Sequence, residues 1–93
     1  MQIRYSEHIK GRLTLRKIEY DLPRKIFEKS EERYFDAKTG HTIAVMKVEL
    51  YKKIREVMVA YVIEKNCGKL LTIHPLKEGQ KRNRIESGRW RKI

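Results

Sequence analysis

The sequence is poor in several features that define whole classes of protein. Its 93 residues include a single cysteine, Cys67, which excludes an internal disulfide framework and is typical of a reducing compartment. No apolar run approaches the roughly 20 residues that a membrane-spanning helix needs. The opening MQIRYSEH lacks the apolar segment of a signal peptide. We therefore expect a cytoplasmic protein with no membrane partner.

Acidic residues are scarce relative to basic ones. There are 12 Asp and Glu against 23 Lys and Arg, so the formal net charge is +11. Such an excess destabilises the compact state through self-repulsion, and it favours contact with a polyanion. RNA is the partner that we expect first, and an acidic protein surface is an alternative.

The usual motifs of nucleotide, metal and nucleophile sites are missing. The sequence contains no G-x-x-x-x-G-K-[ST], no G-x-G-x-x-G and no G-x-S-x-G. His8, His41 and His74 have no metal-ligand spacing, and one cysteine cannot build a zinc motif. We therefore predict that the protein uses neither a metal ion nor a cofactor. Cys67 has no histidine partner in its turn, and we interpret it as incidental.

The spacing of apolar residues changes along the chain, which predicts an α+β fold. Gln2 to Tyr5 alternates like a short opening strand, and Ser6 and Asp21 are candidate N-caps of two short helices. We expect these helices to pack on one face of an antiparallel sheet of about four strands. The predicted strands after the helices are 33–36, 41–51, 54–64 and 69–74.

Two hairpin loops and a central strand refine this prediction. The loops are 36–40, where Gly40 can take a positive φ, and 66–69. The segment 54–64 is apolar on both faces, as expected of a central strand. The whole chain, 1–93, is predicted to be one domain, with an α+β core over 1–76 and a basic C-terminal segment over 77–93.

The C-terminal segment carries the strongest functional signal. It holds seven Lys and Arg against two Glu, a net charge of +5. Glu78 to Ser87 suits a short helix with Gly88 after it, and Arg89 to Ile93 suits an extended chain against the sheet. Arginine and aromatic side chains together contact phosphates and stack on unpaired bases. The candidate nucleic-acid-binding residues are Lys81, Arg82, Arg84, Arg89, Trp90 and Arg91.

Two of the candidate residues, Trp90 and His74, could have a structural role instead of a functional one. Trp90 could stack on a base or anchor the segment in the core. His74 is the candidate catalytic residue, acting as an acid or base on an RNA 2′-hydroxyl while Arg82 or Arg84 holds the phosphate. The alternative is that His74 hydrogen-bonds the turn at Pro75. Both alternatives stay open at the level of sequence.

The order of elements and several short motifs resemble the RelE/ParE toxin superfamily, and more closely small uncharacterised BrnT/RelE-like domains. The likeness covers most of residues 1–76. No Tyr follows the last predicted strand, where such toxins often carry a Tyr or His. The residues that carry the resemblance are MQIRYSEHIKGRL with His8 and Arg12, the turn with Arg16 and Ile18, and the step Ile73-His74-Pro75.

The resemblance implies a compact α+β fold and a toxin that cuts mRNA on the ribosome with clustered basic residues. It also implies neutralisation by an acidic antitoxin protein. We therefore expect a metal-independent endoribonuclease or translation inhibitor, with His74 as its candidate acid or base. One alternative is a non-catalytic nucleic-acid-binding module, and another is a domain that docks an acidic antitoxin-like partner.

Overall fold

The computed structural model describes residues 1–93 and contains three helices and one six-stranded sheet. The α+β prediction is confirmed. The prediction of a sheet of about four strands is matched only in part, because the opening strand and the extended C-terminal end also join the sheet. The elements are β1 (Gln2–Tyr5), α1 (Glu7–Arg16), α2 (Leu22–Lys29), β2 (Glu32–Asp36), β3 (Thr42–Leu50), β4 (Lys53–Glu64), β5 (Cys67–Pro75), α3 (Gln80–Glu86) and β6 (Trp90–Lys92).

The sheet is mixed, in the order β1-β5-β4-β3-β2-β6. β1 runs parallel to β5, with Gln2 opposite Cys67, and the other neighbouring strands are antiparallel. The all-antiparallel prediction is therefore wrong. Side-chain alternation reveals a strand but not the direction of a partner that lies far along the chain. β4 has a neighbour on each side, which confirms the prediction of a central strand.

The first two helices cover one face of the sheet, as predicted. The Ser6 hydroxyl accepts a hydrogen bond from the backbone N–H of Ile9 at 3.0 Å, so Ser6 is the N-cap of α1. Asp21 precedes α2, but its side chain forms no capping bond. None of the helices combines the length and apolar character needed to cross a membrane. The buried core under the helices contains Ile9, Leu13, Ile18, Ile26, Ala44, Val48, Leu50, Val57, Val59, Tyr61, Leu70 and Ile73.

A second, smaller core lies on the opposite face of the sheet. Trp90 is 3% exposed, and its ring stacks on Tyr34 with centroids 5.5 Å apart. β6 pairs with β2, which confirms the extended C-terminal end. α3 lies over this face, because Lys81 reaches both Glu32 and Glu56. The residues of this second core are Tyr34, Ile43, Val45, Met58, Ala60 and Trp90.

The turns confirm some predictions and correct one. Gly40 has φ 79°, as expected for the first hairpin loop, and Gly88 has φ 80° after α3. The second loop is shorter than the predicted 66–69, since only Lys65 and Asn66 form the turn before β5. Both residues have positive φ, which is the geometry of a two-residue hairpin turn that matches the twist of the strands.

Candidate nucleic-acid interface

The face of the sheet opposite α1 and α2 brings together several polar side chains. Thr72 lies opposite Ala60, and Ala60 lies opposite Ile43, so these three form a row across β5, β4 and β3. His74 lies opposite Met58 in the next row on the same face. The register therefore places His74 beside the residues that α3 covers.

His74 separates two concave regions. The first, which we call the inner cavity, has a volume of about 130 Å³ and is lined by residues that include His74, Gln80 and Arg84. The second, the outer groove, measures about 630 Å³. His74 and Gln80 line both regions, so the two regions lie side by side. The groove is lined by the cationic side chains of Arg16, Arg55 and Lys77 and by one carboxylate, Glu78, so cations predominate.

The imidazole of His74 is set up to be neutral. Burial lowers its pKa below the ordinary 6.5, and the positive charges of Arg16, Arg12 and Arg84 lower it further, although the hydrogen bond with Pro75 opposes this shift. Nδ1 lies 3.2 Å from the carbonyl oxygen of Pro75, which can only accept, so Nδ1 carries the proton. Nε2 then has a free lone pair, the form that a general base requires. The predicted hydrogen bond to the turn is present, and it leaves Nε2 available.

Tyr51 holds the two arginines of the groove. Its hydroxyl donates a 2.6 Å hydrogen bond to the carbonyl oxygen of Arg16 at the end of α1. The guanidinium of Arg55 lies over the Tyr51 ring, 5.4 Å from the centroid, and its buried Nε has no partner. The contact with the ring restricts the side chain while the charge stays at the groove. Tyr61, by contrast, lies in the core under the helices.

Three of the six predicted binding residues are engaged within the protein. Trp90 is buried, and Arg89 pairs with Asp36 at 3.0 Å. Lys81 lies 2.9 Å from Glu32 and 2.6 Å from Glu56. These three side chains hold the C-terminal segment on the sheet. Of the two interpretations of Trp90, anchoring in the core is the one that its burial matches.

Ion pairing shifts the pKa values of Lys81 and Asp36. Burial would lower the pKa of Lys81, but the hydrogen bonds that it donates to Glu56 and Glu32 raise it to about 12. Burial would likewise raise the pKa of Asp36, but the hydrogen bonds from Arg89 and from the backbone of Lys38 lower it to about 2. Both groups therefore stay charged at neutral pH, in pairs that are satisfied without a ligand.

The other three predicted residues differ in position. Arg84 lines the inner cavity beside His74. Arg82 is 81% exposed and bonds only Glu86 one helical turn away, at 3.3 Å. Arg91 is exposed on β6. The structure thus brings His74 and Arg84 to one cavity, while Arg82 and Arg91 do not line it.

Sequence reasoning missed the cations of the groove as site residues. In the sequence, Arg16 was noted only as part of a motif that carries the family resemblance. Lys77 was noted only for its contribution to the charge of the C-terminal segment. Arg55 lies 19 residues before His74 in the sequence and lines the same groove. The sequence contains no distinct signal for Arg55, because Lys53 and Glu56 are also charged at the start of this strand.

The donor set of the site is nitrogen-rich. Among His, Cys, Asp and Glu, no group of three or more comes close enough to hold a metal ion. Comparisons of the chain with family models, with curated proteins and with solved structures give no match.

Proposed function

We propose that this protein binds RNA at the outer groove and inner cavity and cleaves it beside His74. The observation that supports this most is a neutral imidazole placed between a cationic groove and a cavity. Arg16 and Arg55 supply charge on one side of His74, and Arg84 supplies it on the other. Guanidinium groups match the geometry of phosphate oxygens, so the sugar-phosphate backbone is the natural occupant of the groove.

The proposed cleavage uses the ribose 2′-hydroxyl of the bound strand. Nε2 of His74 takes the proton of that hydroxyl, and the 2′-oxygen attacks the adjacent phosphorus. The bond from phosphorus to the 5′-oxygen breaks, and water supplies the proton that this oxygen takes up; the hydroxide left behind takes the proton from His74, which restores the neutral imidazole. The products are a 2′,3′-cyclic phosphate and a 5′-hydroxyl. Arg84 and Arg16 stabilise the negative charge that develops on the phosphoryl oxygens.

The likeness to RelE-type toxins extends this proposal to partners. It makes ribosome-bound mRNA the substrate and an acidic antitoxin-like protein the regulator, both in the cytoplasm. A net charge of +11 is suited to either polyanion. RNA is favoured over a protein partner for the site itself, because a proton-accepting histidine is useful beside a ribose and has no part in docking an acidic segment.

Binding is tested by titrating labelled single-stranded RNA over a range of salt concentrations. The affinity should fall linearly on a log-log plot, and Arg16→Ala or Arg84→Ala should reduce the slope by about 0.7 per lost phosphate contact. Arg24→Ala is the matched control, because Arg24 lines neither the groove nor the cavity and its side chain pairs only with Glu28 at the surface. An equal reduction of the slope by all three substitutions would show that RNA binds outside the groove and the cavity.

Cleavage is tested with the same RNA, alone and on ribosomes. Wild-type protein should yield a 2′,3′-cyclic phosphate end, and His74→Gln should abolish cleavage while the affinity for RNA stays unchanged. RNA with a single 2′-deoxy position should resist cleavage at that position. Tight, salt-sensitive binding without any cleavage by the wild type would leave a non-catalytic RNA-binding module.

A further inference from the structure

The inner cavity has an apolar base with a small side chain at its middle. Ala60 lies between Thr72 on β5 and Ile43 on β3, and Met58 lies next to it along β4. All four residues line the cavity, and Trp90 also lines it. Because alanine extends only one carbon from the backbone, the row is lowest at Ala60, and the space above it remains open.

The volume of the cavity selects the size of its occupant. An apolar protein cavity of about 150 Å³ takes up one benzene molecule. The inner cavity, at about 130 Å³, therefore has room for a single six-membered ring and not for two fused rings. An apolar base with a polar rim is also the usual form of a pocket for a flat heteroaromatic group.

Among the polar groups that line the cavity, Gln80 offers free donors. The Gln80 side-chain oxygen accepts a 2.9 Å hydrogen bond from the backbone N–H of Lys77, so the amide NH₂ of Gln80 is left to donate. The indole N–H of Trp90 is buried and has no partner. This nitrogen has essentially no accessible surface, so Trp90 contributes its ring to the cavity wall and not a donor to a ligand.

From these observations we propose that the inner cavity is a subsite for one pyrimidine base, so that RNA is bound and cut with U or C beside His74. This inference depends on the proposed function, because it names the nucleotide that the same site takes. Uracil and cytosine are single rings, and both carry a carbonyl oxygen at O2 that suits the donors. A base in the cavity leaves its ribose at His74 and its phosphate at the cationic groove, since His74 lines both regions.

The test uses short oligonucleotides that carry one base, U, C, A or G, flanked by abasic nucleotides. A 2′-deoxyribose at the base-bearing position prevents cleavage during the measurement. Wild-type protein should bind the U and C forms about tenfold more tightly than the A and G forms, which is the lower end of what one steric misfit in a pocket gives. Abasic flanks remove the self-stacking that would otherwise penalise purine strands.

Variants then locate the preference. Ala60→Val fills the cavity and should reduce the affinity for U and C to that for A and G. Val45→Ile is the matched control, because Val45 is buried on the same face and does not line the cavity. Urea unfolding of both variants shows whether they remain folded. If Ala60→Val does not fold, the ratio of the wild-type affinities for the U and C forms and the A and G forms alone decides whether the protein prefers a pyrimidine.

The outcomes separate this inference from the proposed function. Equal affinity for the four bases, or a preference for purines, overturns the pyrimidine subsite and leaves RNA binding intact. Failure of the wild type to bind any of these oligonucleotides or longer RNA overturns both. A pyrimidine preference that persists unchanged in folded Ala60→Val also overturns the assignment of the base to this cavity.

Discussion

Arg89 holds the carboxylate of Asp36 by two hydrogen bonds, of 3.0 Å from Nε and 3.1 Å from Nη2. The Asp36 side chain is only 4% exposed, and it also accepts a bond from the backbone N–H of Lys38. Asp36 ends β2 and Arg89 immediately precedes β6, so the pair fixes the last strand to the sheet. Both residues line the inner cavity, whose shape therefore depends on an ion pair closed within the protein.

Removing Arg89 should destabilise the protein strongly. Arg89→Ala leaves the buried carboxylate of Asp36 without its charged partner, and a broken buried pair costs roughly 3–5 kcal/mol. Arg91→Ala removes the same charge from an exposed position on β6 and should change the free energy of unfolding by less than about 0.5 kcal/mol. Urea unfolding followed by circular dichroism measures both. Similar losses in the two variants would contradict a structural role specific to Arg89.

The same pair predicts a pH dependence on the acid side. The pKa of Asp36 is about 2 in the folded protein, below the ordinary 3.8, so the folded state binds fewer protons there. The stability from ionised Asp36, about 2 kcal/mol, is complete above about pH 4 and is lost as the pH falls toward 2. The difference in unfolding free energy between wild type and Asp36→Asn should shrink over this window. A difference that stays constant would contradict the assignment.

Two glycines should respond in opposite directions to alanine. Gly11 is inside α1, and an added Cβ would meet nothing within 4 Å, so Gly11→Ala should stabilise the protein by about 0.5–1 kcal/mol. At Gly68 on β5, an added Cβ would lie 2.7 Å from Cζ of Phe27. The Phe27 ring is held edge-on against Tyr61, so it cannot move freely, and Gly68→Ala should cost about 1–3 kcal/mol. Thermal unfolding of both variants distinguishes the two effects, and a gain at Gly68 would be the contrary result.

Local patterns predicted the elements well where one face meets a continuous core. The alternation Ala44, Met46, Val48 and Leu50 matches the side of β3 that packs under the helices. Gly68 shows the limit, because it resembles a loop residue in sequence and lies in β5. Its role is set by the approach of Phe27, which is 41 positions earlier in the numbering.

The candidate site was predictable only in part, for a related reason. His74 and Arg84 stand close in sequence and line the same cavity. The sequence around an arginine does not reveal its role, because the role is set by the residue that it contacts in the fold. Arg89 contacts Asp36, whereas Arg55 lies over Tyr51 at the outer groove. Composition reports the excess of charge. It does not report which cations are already neutralised by long-range ion pairs, and that distinction separates anchoring residues from those available to a phosphate.

The electrostatic coupling around His74 gives a prediction that does not depend on activity. In the folded protein the pKa of His74 is below the ordinary 6.5, with burial as the largest cause and the charge of Arg84 among the others. Arg84→Gln removes that charge, so the pKa of His74 should rise, whereas Arg24→Gln on α2 should leave it unchanged. Titration of the imidazole by nuclear magnetic resonance measures the midpoint directly.

The direction of the His74 pKa shift also determines how the stability of the protein and the cleavage rate depend on pH. Because the folded state disfavours the protonated imidazole, the stability that His74 contributes is complete above pH 6.5 and declines as the pH falls through the lowered pKa. If His74 acts as the general base, the cleavage rate should fall over the same acid range, and in Arg84→Gln this fall should begin at a higher pH. A wild-type midpoint above 6.5, or an unchanged midpoint in Arg84→Gln, would contradict the arrangement described for the site.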